Sequence, residues 1–178
     1  MSTTTWNLDP AHSTAEFKVR HLAISWVKGK FTGLTGTLTL HESDHTYSAV
    51  EAAIEVATIH TGAEDRDNHL KSADFFDAAQ FPTITFKSTS ITPWGKGRFA
   101  VSGDLTIHGV TKPATFTVED FSDPTRDPWG KHRVGIEAIA KINRKDFGLT
   151  WNATLEAGNV LVGEEVTITL DVQFVAAA

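Results

Sequence analysis

Apolar side chains return at every second position along most of the chain, a period that places them on one face of an extended strand. Ala15, Phe17, Val19 and His21 alternate with Glu16, Lys18 and Arg20, and Leu34, Gly36, Leu38 and Leu40 alternate with Thr35, Thr37 and Thr39. The pattern continues through Val50, Ala52, Ile54 and Val56, through Ile84, Phe86 and Ser88, and through Phe99, Val101, Gly103, Leu105 and Ile107. Ala114, Phe116 and Val118 follow, then Val134, Ile136, Ala138, Ala140 and Ile142, and last Val166, Ile168, Leu170, Val172 and Phe174. That makes eight predicted strands. Each has an apolar face and a polar, often Thr-rich face, as expected of antiparallel strands around a single interior with water outside. Turn residues separate them, at Thr92 to Gly97, His108 to Val110, and Asp123 to Gly130. Eight such strands fit a sandwich or a closed barrel, and closure removes the exposed edges.

One segment breaks the alternation. Thr61-Gly62-Ala63-Glu64 has the spacing of a capping box, and Asp65 to Lys71 continue it as a short polar helix. Ser72-Ala73-Asp74 reads as a second helix start, and Phe81-Pro82 closes the excursion. A helical insert over 61–81 is therefore predicted between the third and fourth strands. Its Phe75, Phe76 and Phe81 need an apolar place, and the barrel mouth is the nearest. A second irregular stretch, Asn143 to Asn159, holds Phe147, Leu149 and Trp151. No repeat, low-complexity run or linker divides the chain, so residues 1–178 read as one domain.

Composition narrows the function classes. Eleven Phe, five Trp and a single Tyr suit a packed interior or a greasy pocket. The net charge is −6 and no Lys/Arg run stands out, so the basic face that neutralises nucleic-acid phosphates is missing. The absence of cysteine excludes disulfides, thiolate nucleophiles and Cys-ligated metals. No stretch approaches the roughly 20 apolar residues of a membrane helix. Met1 to Trp6 has neither the basic nor the apolar region of a secretory signal, so the expected location is the cytoplasm.

Several segments, in order along the chain, resemble the YceI family of lipocalin-like, lipid-binding proteins. They are Trp6 to Ser13, Val27 to Phe31, Ile59 to Gly62, Arg66 to Leu70, Ser72 to Asp77, Phe81-Pro82, Gly103 to Lys112 and Asn143 to Leu149. The resemblance implies an extended eight-stranded antiparallel barrel whose tunnel accepts a polyisoprenoid or similar long-chain amphiphile. It implies no cofactor beyond such a bound lipid, and it carries the expectation of a homodimer. Family members are often exported, and the signal segment they would carry is not seen here.

The polar candidates are Arg66, Asp67 and His69 in the insert, with His12 elsewhere. Together they could form a rim holding a lipid head group, with Arg66 suited to bidentate contact with phosphate or carboxylate. The plainer reading, placed first, is that they tie the insert to the barrel, because buried polar groups are usually satisfied scaffolding. The histidines are too scattered for a tetrahedral zinc site, and the one close pair, His41 and His45, is expected in an exposed turn. Ser13 follows His12, but neighbours on a strand face opposite ways and cannot act together. Asp65 and Asp67 are expected as solvated charges. No nucleophile elbow, phosphate loop or dinucleotide fingerprint is present, so no catalytic residue is assigned.

The inward apolar set is Phe17, Val19, Leu34, Leu38, Ile54, Val56, Phe86, Leu105, Ile107, Phe116, Ile136, Ala138, Ile168 and Leu170, with Phe75, Phe76, Phe147 and Trp151 at the mouth. Periodicity alone leaves two readings open, a solid core and a lined tunnel. Small inward residues (Gly36, Ala52, Gly103, Ala138 and Ala140) leave volume that a packed core would have to recover. With the resemblance added, the expectation is a lipid tunnel. The competing classes are an enzyme using His12, Arg66 and His69, and an interaction module with a solid core.

Overall fold

A computed structural model describes residues 2–153 and 160–177. Eleven strands form one sheet among these residues: β1 (Thr3–Leu8), β2 (Thr14–His21), β3 (Ser25–Phe31), β4 (Leu34–His41), β5 (Ala49–Glu55), β6 (Thr83–Pro93), β7 (Phe99–Ile107), β8 (Val110–Phe121), β9 (Thr125–Arg126), β10 (His132–Asn143) and β11 (Val162–Ala176). All pairings are antiparallel. One helix, α1 (Glu64–Lys71), lies between β5 and β6.

β11 is the strand that closes the sheet. One of its edges pairs with β10 from Glu165 to Val175. The other is shared: β1 pairs with Phe174 to Ala176, and β2 pairs with Val162 to Asp171. The ring β11-β1-β4-β5-β6-β7-β8-β10 is thus a closed barrel of eight strands. The β2–β3 hairpin lengthens its wall along the first half of β11.

The count of eight predicted from the sequence is correct, but its membership differs. β1 belongs to the ring and was not predicted, because only Trp6 and Leu8 mark its apolar face. β2 was counted and lies in the hairpin extension instead. β3 escaped because its outward face carries Trp26 and its inward face carries Gly29, which blurs the alternation. A Cβ there would run into the ring of Phe17, its cross-strand partner, which would have to shift.

The insert also departs from expectation. Helix α1 starts at Glu64 after an extended Ala63, and no side chain caps it. Gly62, at φ +90°, turns the chain so that Thr61 stands outside the helix. Both the Thr61 amide and its hydroxyl donate to Asp67 Oδ1 instead. Ser72 does not begin a second helix; it ends α1, its hydroxyl donating to the His69 carbonyl at 2.6 Å. Of the irregular stretch from 143 to 159, residues 144–147 form a short 3-10 turn closed by Gly148 at φ +78°, and residues 154–159 lie outside the described residues.

Candidate functional site

The apolar interior divides into two packed groups. One gathers Trp6, Leu8, Phe31, Leu38, Val134, Phe147 and Phe174, the other Val101, Phe116, Val118, Ala138 and Ala140. Between them runs a cavity of about 390 Å³ with an almost wholly apolar wall. β11 shows the change directly: Val172 and Phe174 are 6% and 2% exposed, whereas Val166, Ile168 and Leu170, on the same face, are only half-buried.

Sixteen of the predicted apolar residues line this channel: Phe17, Val19, Leu34, Leu38, Ile54, Phe75, Phe76, Phe86, Leu105, Ile107, Phe116, Ile136, Ala138, Trp151, Ile168 and Leu170. Val56 and Phe147 do not, and this corrects the expectation. Val56 opens a 3-10 turn where β5 ends and is 1% exposed in the packed core. Phe147 is 2% exposed, and its carbonyl receives the His108 ring at 3.3 Å. The small-residue expectation is also corrected in part. Ala52 and Ala138 line the channel, but the space above Gly103 is taken by the Phe86 ring, 2.7 Å from where a Cβ would be. Gly36 packs against Ala52 and Glu51, and Ala140 belongs to the core.

The rim candidates separate. His12 is exposed at the end of the barrel where β10 begins, bound to Asp9 at 2.8 Å. Arg66 and His69 reach the channel at the other end. Asp67 faces away from it, buried against Thr61 with His60 at 3.7 Å, and is neither solvated nor on the rim. Arg66 donates through Nε and Nη2 to the Thr61 hydroxyl and carbonyl at 2.8 and 2.7 Å. The Arg66–Thr61–Asp67 set fastens the insert. His69 sits between the rings of Phe75 and Trp151, at 5.1 and 4.8 Å, and its Nε2 meets Asp74 at 2.9 Å. Phe75 contacts Trp151 at 5.3 Å and Phe76 meets Phe31 at 5.9 Å, so these rings roof the channel. Phe81 packs on His108 instead.

His41 and His45 do not share an exposed turn. His41 is buried and its Nδ1 accepts from the Asp44 amide, while His45 packs on Phe99 and Phe121 and lines the channel. Ser13 is buried with its hydroxyl accepting from the Gln173 amide. Among the described residues, no group of three or more His, Asp or Glu could hold a metal ion.

Arg144 was missed. The residue is 4% exposed and lines the roofed end, and its guanidinium donates to the carbonyls of Gly163 (2.7 Å), Leu149 (2.6 Å), Trp151 (2.9 Å) and Val162 (3.3 Å). Burial pulls its pKa below the usual arginine value, while the nearby Glu164 opposes that shift. Parity could have found it: Val134, Ile136, Ala138, Ala140 and Ile142 face inward, and 144 is the next position on that face.

At the opposite end Arg133 donates to Asp9 at 2.6 Å and to Asp127 at 2.8 Å. Arg133, and after it His12, hold the Asp9 carboxyl down at about 2, and Arg133 also lowers Asp127. This clasp ties the residues after β1 to the start of β10.

Fold and channel define a class: closed antiparallel barrels with an apolar tunnel, lipocalin-like in plan. A family model for the YceI-like domain matches residues 6–174, and the chain belongs to the YceI family. It is 37% identical to the UPF0312 protein of Staphylococcus aureus over 172 residues, 96% of this chain and 97% of that one. The solved YceI protein of Campylobacter jejuni matches at 27% identity with a TM-score of 0.71, covering 88% of each chain. A polyisoprenoid binding domain from Saccharophagus degradans, implicated in plant cell wall breakdown, shares the fold at 17% identity and a TM-score of 0.69, over 98% of this chain and 99% of that one.

Proposed function

We propose that the chain is a non-catalytic carrier that binds, stores or moves one long apolar lipid inside its barrel, a polyisoprenoid, isoprenoid quinone or related amphiphile. The observation that carries this reading is the continuous stripe of half-buried apolar side chains inside a closed wall: Phe17, Val19, Ile54, Phe86, Ile136, Ile168 and Leu170. Protein interiors pack densely, and an unfilled apolar cavity stays dry and takes apolar guests. Its volume falls within the range of small-molecule sites. Each methylene withdrawn from water contributes about 0.8 kcal/mol, so a long tail binds firmly with few polar contacts. The name of the Saccharophagus degradans domain agrees with the reading, through a shared fold.

Selectivity then follows tail length. β10 has twelve residues. At about 3.3 Å per residue and the usual strand tilt, such a barrel is about 30 Å tall. Among the described residues, the hydroxyls on the wall are Ser48 and Thr85, and the Ser48 oxygen accepts from the His41 amide, away from His69. Ser72, which flanks the His69–Asp74 pair, has its hydroxyl proton donated to the His69 carbonyl at 2.6 Å, so it serves as the helix end.

Titration with a homologous series of isoprenoid quinones, read by quenching of tryptophan fluorescence, tests the proposal. Affinity should rise with each added isoprene unit and level off when the tail fills the channel. Affinity independent of tail length would overturn it.

A further inference from the structure

The β2–β3 hairpin ends in an apolar tip beside the roofed end of the channel. The Leu22 amide donates to the Leu161 carbonyl at 2.9 Å, and His21, Leu161 and Val162 line the channel there. Ile24 at the tip is 77% exposed and Trp26 is 42% exposed. The turn itself is costly for these residues. Leu22 and Ala23 both hold positive φ, +56° and +58°, with the Ile24 amide donating to the His21 carbonyl. Two positive-φ positions in a tight hairpin turn favour Asn and Gly. Leucine and alanine here keep the tip apolar against the preference of the backbone, and such strain marks functional segments.

The outward face below the tip carries Lys18, Arg20, Lys28 and Lys30 against the single carboxylate of Glu16, in a chain whose net charge is −6. Lys18 Nζ and Arg20 Cζ each lie 4.7 Å from the centre of the Trp26 ring. Lysines often guard a free edge strand, which accounts for Lys28 on β3, whereas Lys30 is already bridged to His60. Edge protection does not account for Lys18, because β2 is paired on both sides, nor for an exposed Ile24, and Arg20 also donates to the Ala23 carbonyl of the turn at 2.7 Å. An apolar tip, a tryptophan just behind it and a ring of cations match the layers of an anionic bilayer surface, from acyl boundary to headgroup.

We propose that this hairpin docks the protein on anionic phospholipid bilayers, setting the roofed end of the channel against the lipid. The docking is a binding event in its own right; only its purpose, loading and unloading the channel, rests on the carrier reading. The test is flotation with vesicles of phosphatidylcholine alone and with about one third phosphatidylglycerol. Wild type should float with the anionic vesicles only. Lys18→Gln and Lys28→Gln should each lower the bound fraction about fivefold. Ile24→Asp should lower it about tenfold while leaving the circular dichroism spectrum unchanged, since its side chain touches water. The same variant should still take up quinone presented in detergent. Wild type that ignores anionic vesicles, or an Ile24→Asp variant that floats normally, overturns the docking proposal even if the channel holds lipid. Normal flotation of a protein that takes up no quinone leaves docking intact and removes the carrier reading instead.

Discussion

The two ends of the barrel are held together by different means. Where β10 begins, one guanidinium meets two carboxylates: Arg133 binds Asp9 and Asp127. Where β10 ends, the guanidinium of Arg144 meets only carbonyls, four of them, from segments on both sides of residues 154–159. The first arrangement sets one positive charge against two negative ones and sits at a partly wet surface. The second buries a positive charge and spends its donors on backbone carbonyls, beneath the His69, Phe75 and Trp151 rings. The lesson is that the roofed end is fixed by hydrogen-bond satisfaction and the clasped end by charge. The two ends should therefore fail under different stresses.

The largest expected effect is at Arg144. Arg144→Ala takes these donors away from the Leu149, Trp151 and Gly163 carbonyls and should lower stability by about 3 kcal/mol in urea unfolding, with Arg144→Lys recovering only part. A loss near zero would show that water replaces the guanidinium and that the roof is not held as described. Phe75→Ala comes next: removing a buried ring should cost about 3 kcal/mol or slightly less, because the roof lies near solvent, and should speed lipid exchange measured by stopped-flow fluorescence. Ala138→Trp plugs the channel between the ends. It should cut quinone affinity at least tenfold, while costing about 1–3 kcal/mol from overpacking. Unchanged uptake in a folded variant would mean that this wall does not face the guest.

The smallest effect belongs to the clasp, and its sign is set by the lowered Asp9 carboxyl. Its contribution is present above the ordinary aspartate value of 3.8 and disappears as pH falls toward about 2. Asp9→Asn should cost about 1 kcal/mol at neutral pH, given screening at this surface, and less as the pH approaches 2. A pH-independent difference between wild type and variant, followed by urea midpoint from pH 7 to 2, would separate the clasp from this account. The roof variant Phe75→Ala should show no such pH dependence.

The wall of the barrel was legible in the sequence because alternation is dense there. Phe17 and Val19 on β2, and Ile168 and Leu170 on β11, were assigned inward from parity alone, and they do face in. What parity could not supply was the partner of each strand. Nothing in Trp6 and Leu8 announces that β1 shares an edge of β11 with β2, since that depends on strand lengths fixed only by closure. The helical insert was located correctly but its chemistry was misread. Thr61 and Glu64 have capping-box spacing, yet Gly62 turns the chain and gives Thr61 to Asp67. Hollowness was the least legible property. Gly103 suggested spare volume, but a ring from the next strand fills it; the actual space lies beside Val166, Ile168 and Leu170, none of them small.

On the carrier proposal, the space between the two packed groups is where a hydrocarbon guest would sit. Mass spectrometry of the protein purified from cells without detergent, followed by analysis of its organic extract, tests this most directly. One stoichiometric long-chain lipid should be found, and it should be lost in Ala138→Trp. A wild-type protein that is empty as purified and remains so after exposure to prenyl lipids and quinones would contradict the proposal.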